Sequence, residues 1–367
     1  MKTNQLILAA ALVALAACSK ENIQINGPSS LGDNEIGFQA VTRKATKADN
    51  AIINGATYDT LNTFKVWGWL TEKDGNEAYS DLSVNDESNF MTNLKIEYTK
   101  GRDNSRAKAW RNAQNYYYWP FTGRISFLAI HPSAVAPTTA KWGANDKPKA
   151  TIDDYTVVGK DSTDLMFGIA EDARRATALP LKFYHALSQI QFRVRTHEDY
   201  TVDNVEFKID SVKINNIDLS GDVAYEDEVI TWNNNEDQDT LKVYYKGTQV
   251  VTYAQGANDT EKNNNAALYG RALVMVPQPE NNKASELDQA DPAYDANDNV
   301  QTTLTIGYTM KQGNNAEISG TVEVAAPQEW VAGKKYLYTL NFKLDEILFN
   351  PTVNDWVKVD VEAINVI

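Results

Sequence analysis

Nearly every regular segment of this chain alternates apolar and polar residues with a period of two, and no long stretch shows helical periodicity. Lys335 to Leu344 is the clearest case, with Tyr336, Tyr338, Leu340, Phe342 and Leu344 on one face and Thr339, Asn341 and Lys343 on the other. Thr63 to Leu70 carries Phe64 and Val66 on one face against Trp67 and Trp69 on the other. Such a pattern fits a pleated, half-buried surface, so the expected fold class is all-β.

The same periodicity predicts strands at Leu94 to Tyr98, Ala109-Trp110, Asp164 to Gly168, Val205 to Ile209, Val212 to Ile217, Leu241 to Tyr253, Ala272 to Gln278, Leu304 to Met310, Gly320 to Val324 and Ile347 to Trp356. Tyr116 to Trp119, stopped by Pro120 and followed by a Thr-Gly turn, predicts a hairpin with the strand Arg124 to Pro132. Leu219 to Gly221 reads as a turn. Ser133 to Asp154, Asn233 to Asp239, Asn258 to Asn265 and Pro279 to Asn299 read as loops. In Leu179 to Val194 the apolar residues change phase: Leu181 and Phe183 are odd, Ile190, Phe192 and Val194 even. That change predicts a bulge or bend at His185 to Ser188.

A chain of 367 residues suggests two domains. The polar run Thr196 to Asp203 offers a junction, dividing the chain into 35–198 and 199–367. The net charge of −14 argues against nucleic acid or an anionic membrane as partner. With one cysteine there is no internal disulfide, so stability rests on packing, for which 43% hydrophobic and 10% aromatic residues suffice. One cysteine and three scattered histidines make no zinc cluster, and Asp288, Asp291, Asp295 and Asp298 lack the spacing and glycine of a calcium loop. His185 reads as a structural histidine. No nucleophile elbow or histidine pair is present, so no catalytic residue, metal or cofactor is expected.

The first residues describe export. Lys2 precedes the apolar run Leu6 to Ala17, which is followed by Cys18; this is the pattern of a secretory signal, residues 1–17, and is too short for a spanning helix of ~20 residues. Leu15-Ala16-Ala17-Cys18 resembles a bacterial lipobox, in which the cysteine is acylated and becomes the new N-terminus; an ordinary signal peptide beside a chance cysteine is the alternative. Residues 18–34 are polar and read as a tether. Glu35 to Thr42 then alternates as a strand with Ile36, Phe38 and Ala40 on one face, and the dibasic Arg43-Lys44 stands where a protease could reach. At the other end, Val357, Val359 and Val361 alternate in an apolar tail, 357–367, that needs burial, in its own domain or in another molecule.

Several stretches together resemble the fimbrillin family of type V pilus subunits. They are the lipobox, Tyr118-Trp119-Pro120 leading into Phe127-Leu128-Ala129 and Pro132, Leu181 to Ile190, Val274 to Gln278, and Trp330 to Tyr338 running to Asp355-Trp356. The resemblance implies two transthyretin-like β-sandwich domains in tandem and export to the outer membrane as a lipoprotein held by lipid on Cys18. It further implies that an arginine-specific protease removes the strand bearing Ile36, Phe38 and Ala40, with Arg43 matching the cleavage site and Lys44 beside it. Other pilus subunits are the implied partners, each filling the vacated groove of its neighbour, with Val357, Val359 and Val361 as candidate donor. A pilus tip or anchor adhesin is an alternative within the family, and a glycan-binding surface lipoprotein, suggested by eight tryptophans and the Tyr116 to Trp119 run, is an alternative outside it.

Overall fold

The computed structural model describes residues 34–41, 63–71, 90–102, 108–121, 123–143, 147–157, 163–175, 178–234, 245–278, 302–326, 329–344 and 347–355. Among them are nineteen strands and one short helix, an all-β sandwich fold as the period-two pattern predicts.

Seven strands close into a barrel in the order β1 (Phe38–Val41), β4 (Ala109–Arg111), β3 (Met91–Thr99), β2 (Phe64–Thr71), β5 (Arg124–His131), β8 (Met166–Ala173) and β9 (Leu179–His185). Strand alternation divides their side chains between two cores. Phe64 and Val66 of β2, Ile125, Phe127 and Ala129 of β5, and Met166 of β8 share a core with Phe38, Trp110, Leu181 and Phe183. Trp67, Trp69, Leu128, Ile130, Phe167 and Ile169 point the other way, into the larger core. The two faces expected for Thr63 to Leu70 are these two.

The outer face of the barrel is covered by a sheet in the order β13 (Val229–Asn234), β12 (Ser220–Glu226), β7 (Pro148–Thr156), β6 (Thr139–Trp142). Phe167 stacks on Tyr225 with ring centroids 5.3 Å apart, and Trp69 meets Trp142 at 6.1 Å. Two further sheets face each other: β15 (Ala267–Met275), β10 (Ser188–Thr196), β18 (Lys334–Phe342), β19 (Ile347–Asp355), and β14 (Tyr245–Val251), β11 (Val205–Asn215), β16 (Thr303–Gln312), β17 (Ile318–Ala325). Their rings meet across the layer, Phe207 lying 5.8 Å from Phe342. β18 pairs with β10 and β19 on its two edges and is buried on both faces from Tyr336 to Phe342.

The phase change in Leu179 to Val194 is a change of sheet. β9 ends at His185 in the barrel, and β10 begins at Ser188, antiparallel to β15 and parallel to β18. The turn between them, Ala186-Leu187, is fully buried: Ala186 N donates to Leu165 O, its carbonyl accepts from Trp232 Nε1 at 2.7 Å, and the Leu187 carbonyl accepts from Gly333 N. Hydrogen-bonded sheets therefore change over at 186–187, ahead of the polar run at 198/199. The hairpin β12–β13 departs further from a simple tandem order, since it follows β11 in sequence yet pairs with β7 on the barrel side.

Five local expectations are corrected. Tyr116 to Trp119 is not a hairpin partner of Arg124 to His131: β5 pairs with β2 and β8, while Tyr118 makes a single bridge to Glu35. Ser133 to Asp154 contains β6 and most of β7, whose charged, threonine-rich outer face masked the buried Ala150 and Ile152. Leu219 to Gly221 leads straight into β12, and Val205 to Asn215 is one strand with a bulge at Ile209/Ser211 that shifts its apolar phase. Asn258 to Asn265 holds the helix α1 (Asp259–Asn265): Asn258 Oδ1 accepts from Glu261 N and Glu261 Oε2 from Ala257 N, so two orphan donors are satisfied at its start.

Candidate functional site

β1 is the strand that closes the barrel, and three separate pieces of chain hold it. Asn34 turns in with φ 64°, a conformation asparagine tolerates. Its carbonyl accepts from Trp119 N at 2.8 Å, and Ile36 N donates to Tyr117 O at 2.7 Å. Phe38 then lies opposite Trp110 of antiparallel β4, while Phe38, Gln39, Ala40 and Val41 run parallel to Leu179, Pro180, Leu181 and Lys182 of β9. Leu179 N donates to Gly37 O at 2.8 Å, the first bond on that side.

Ile36 and Phe38 fill the barrel interior at 2% and 3% exposure. The Phe38 ring sits edge-on to Phe127, centroids 5.4 Å apart, and to Phe64 at 6.1 Å. Burying two such side chains contributes about 1.5–3 kcal/mol each. On the polar side, Arg111 of β4 reaches Glu35, Nη1 to Oε1 3.3 Å, and both side chains are about 1% exposed. The ring of Tyr116 lies 5.9 Å from the Arg111 guanidinium carbon. A buried ion pair of this kind recovers its desolvation cost only while both partners stay in place.

β1 is thus held by main-chain pairing on two flanks, by two apolar contacts at Ile36 and Phe38, and by a buried ion pair beside it. Of the residues singled out in the sequence, Phe38 and Ala40 lie on β1 and Ile36 in the segment leading into it, Ala40 being placed by its register opposite Leu181 alone. Cys18, Arg43, Lys44, Val357, Val359, Val361 and the run Asp288 to Asp298 lie outside the described residues. Trp110, Arg111, Tyr117 and Leu179 were not foreseen, because a three-residue strand and an irregular aromatic segment carry no period that points to their partner.

His185 is where a structural histidine belongs. Its Nδ1 lies 2.6 Å from Oδ2 of Asp164, a fully buried residue in the turn before β8. Burial pushes the Asp164 carboxyl up, and the charge and hydrogen bond of His185 oppose this. Six tryptophans, at 67, 69, 110, 119, 142 and 330, are buried and Trp232 is half-buried, which removes them as an exposed stacking platform. Among the described residues no helix is long and apolar enough to cross a membrane.

A seven-stranded barrel closed by its own leading strand and joined to a two-sheet sandwich defines an all-β protein whose first described strand is also its seam. A family model described as fimbrillin-like matches residues 44–356, and the chain belongs to that family. The crystal structure of a fimbrial protein from Bacteroides vulgatus is similar in fold, with a TM-score of 0.53 at 17% identity over 88% of this chain and 99% of that one. Structures of proposed cell adhesion proteins from Bacteroides uniformis and Bacteroides ovatus also match. The first has a TM-score of 0.44 at 15% identity over 89% and 100% of the two chains. The second has 0.45 at 13% over 91% and 100%. No curated protein matches.

Proposed function

We propose that this chain is a structural, non-enzymatic subunit of a cell-surface pilus, exported as a lipoprotein acylated at Cys18 and carried on the outer membrane until it is trimmed. An arginine-specific protease cuts after Arg43, two positions beyond Val41, with Lys44 next in line. β1 then leaves, and a strand of the neighbouring subunit takes its place. The tail bearing Val357, Val359 and Val361 is the candidate donor. The chain divides for this purpose into two sandwich units that change over at 186–187, with β12–β13 lent back to the first.

The observation that carries the proposal is the position of β1, a short segment at the chain's leading end that completes a barrel by pairing on both sides. A barrel that loses such a strand exposes two unpaired backbone rows and two apolar sockets, and a foreign strand restores both. Membership of the fimbrillin-like family supports assembly with other pilus subunits and adhesion as its purpose.

Mass spectrometry and N-terminal sequencing of filaments sheared from cells test it. Mature subunits are expected to start beyond Arg43, without Cys18 and β1. Filaments built only from chains that still begin at acylated Cys18 would refute trimming and strand replacement together.

A further inference from the structure

We infer that the seat of Phe38 takes an aromatic ring in preference to any aliphatic side chain, so that the strand replacing β1 comes from a neighbouring subunit and has the order aliphatic, any residue, aromatic. This rests on the strand-replacement reading and specifies its partner. The run 357–367 of a second copy does not carry that order.

Phe38 sits among other rings. It meets Phe127 and Phe64 edge-on, with centroids 5.4 and 6.1 Å away and interplanar angles of 84° and 80°. Phe64 in turn packs against Trp110 and Phe183, each at 5.5 Å, and Trp110 lies opposite Phe38 in the ladder. Edge-on contact draws on the charge distribution of both rings, which an aliphatic guest lacks. Two of the walls are backed by main chain. A Cβ added at Gly168 would stand 2.8 Å from Phe183 Cε1, and one at Gly68 3.2 Å from Phe127 Cε1, so these rings lie flush on β8 and β2. Moving either inward to close a vacated seat opens a void behind it. Phe64, Trp110, Phe127 and Phe183 all belong to strands that stay when β1 departs, so a guest meets the same walls.

A guest with valine in that seat forfeits both edge-on contacts and leaves a cavity, the deficit of a large-to-small core substitution. Its affinity falls by a factor on the order of 10 to 100. In the run 357–367, Val357, Val359, Val361 and Ala363 share one face and Ile364 and Val366 the other, and none of them is aromatic. Trp356, just ahead of that run, has Asn354 and Lys358 as its neighbours on the same face. Seating the Trp356 ring therefore brings an amide or an ammonium to the place of Ile36, which is 2% exposed. A second copy offering its tail fills the groove poorly in every register, and a subunit offering a ring two places after an aliphatic residue fills it as Ile36 and Phe38 do.

The test uses the full chain cut with an arginine-specific protease, then incubated with fluorescent peptides read by anisotropy. Four are compared: residues 34–41 in the native sequence, the same peptide with Phe38→Leu or Phe38→Val, and residues 356–367. The native peptide is expected to bind at least ~10-fold more tightly than Phe38→Val, with Phe38→Leu between them and 356–367 no tighter than Phe38→Val. In the chain variant Phe127→Leu, which removes one ring from the seat, the advantage of the native peptide is expected to shrink. Equal binding of the native and Phe38→Val peptides to the unsubstituted chain overturns ring selection while leaving strand replacement standing. Binding of 356–367 as tight as that of the native peptide overturns the rejection of a second copy. Binding of none overturns strand replacement, and ring selection with it. Because the peptides are compared on the unsubstituted groove, they decide the matter even where Phe127→Leu fails to fold.

Discussion

Phe38→Ala in the full, untrimmed chain separates a strand that seals the barrel from one that merely lies across it. The ring is 3% exposed and packs edge-on against Phe127 and Phe64, so its removal leaves a void bounded by rigid aromatic neighbours that cannot collapse into it. The expected loss is about 3–5 kcal/mol. For a unit of 150–250 residues each kcal/mol moves the melting midpoint by about 2–4 °C, so a fall of about 6–20 °C is expected by calorimetry. Hydrogen exchange localises the effect: the Leu179 amide, bonded to Gly37 O, should exchange faster by a factor on the order of 100 to 1,000, while amides of β18 change far less. A midpoint lowered by less than about 2 °C, with Leu179 protection intact, would show that β1 is not what holds the barrel shut.

Three further outcomes follow from other parts of the molecule. His131 is buried, and desolvation together with the charge of His185 holds its pKa at about 4 against an ordinary 6.5, although a hydrogen bond to Thr63 O pulls the other way. The unfolded chain then binds the extra proton between these values, so stability present above pH 6.5 is lost as pH falls toward 4, by about 3 kcal/mol. Urea titrations of the unsubstituted chain and His131→Asn isolate that slope by difference, since Asp164, raised by burial, slopes in the opposite sense in both. Gly168→Ala places a methyl 2.8 Å from Phe183 Cε1, and with the ring wedged in the barrel core a loss of about 1–3 kcal/mol in urea denaturation is expected. Asn258→Ala removes the cap of α1, costs about 1 kcal/mol, and should raise amide exchange in 259–265 without moving the barrel.

Strand periodicity was readable because alternation is a local property, and it located β2, β5, β9, β10, β16 and β18 to within a few residues. The phase change at His185 to Ser188 even marked a change of sheet, since a chain switches apolar faces only at a bulge or a break in its ladder. What escaped were the features decided by partners far along the chain. β7 looks like a loop because only Ala150 and Ile152 of its central stretch are fully buried, and its strand character comes from β12, about seventy residues on. Tyr116 to Trp119 looks like a strand, yet the Tyr117 carbonyl and Trp119 amide bond to Ile36 and Asn34, and just ahead of it the Asn112 side chain accepts from the amides of Gln114 and Asn115. Arg111 was invisible as a site residue for the same reason: nothing in Ala-Trp-Arg says that the arginine faces a glutamate seventy-six positions earlier.

β1 runs parallel to β9 and antiparallel to β4, so the two walls of its slot run opposite ways and a reversed guest would exchange the parallel ladder for the antiparallel one. A guest laid in backwards would meet a different spacing of amides on each wall. Any fibre made by repeated filling of such slots has a front and a back, every member faces alike, and lengthening at one tip is chemically distinct from lengthening at the other.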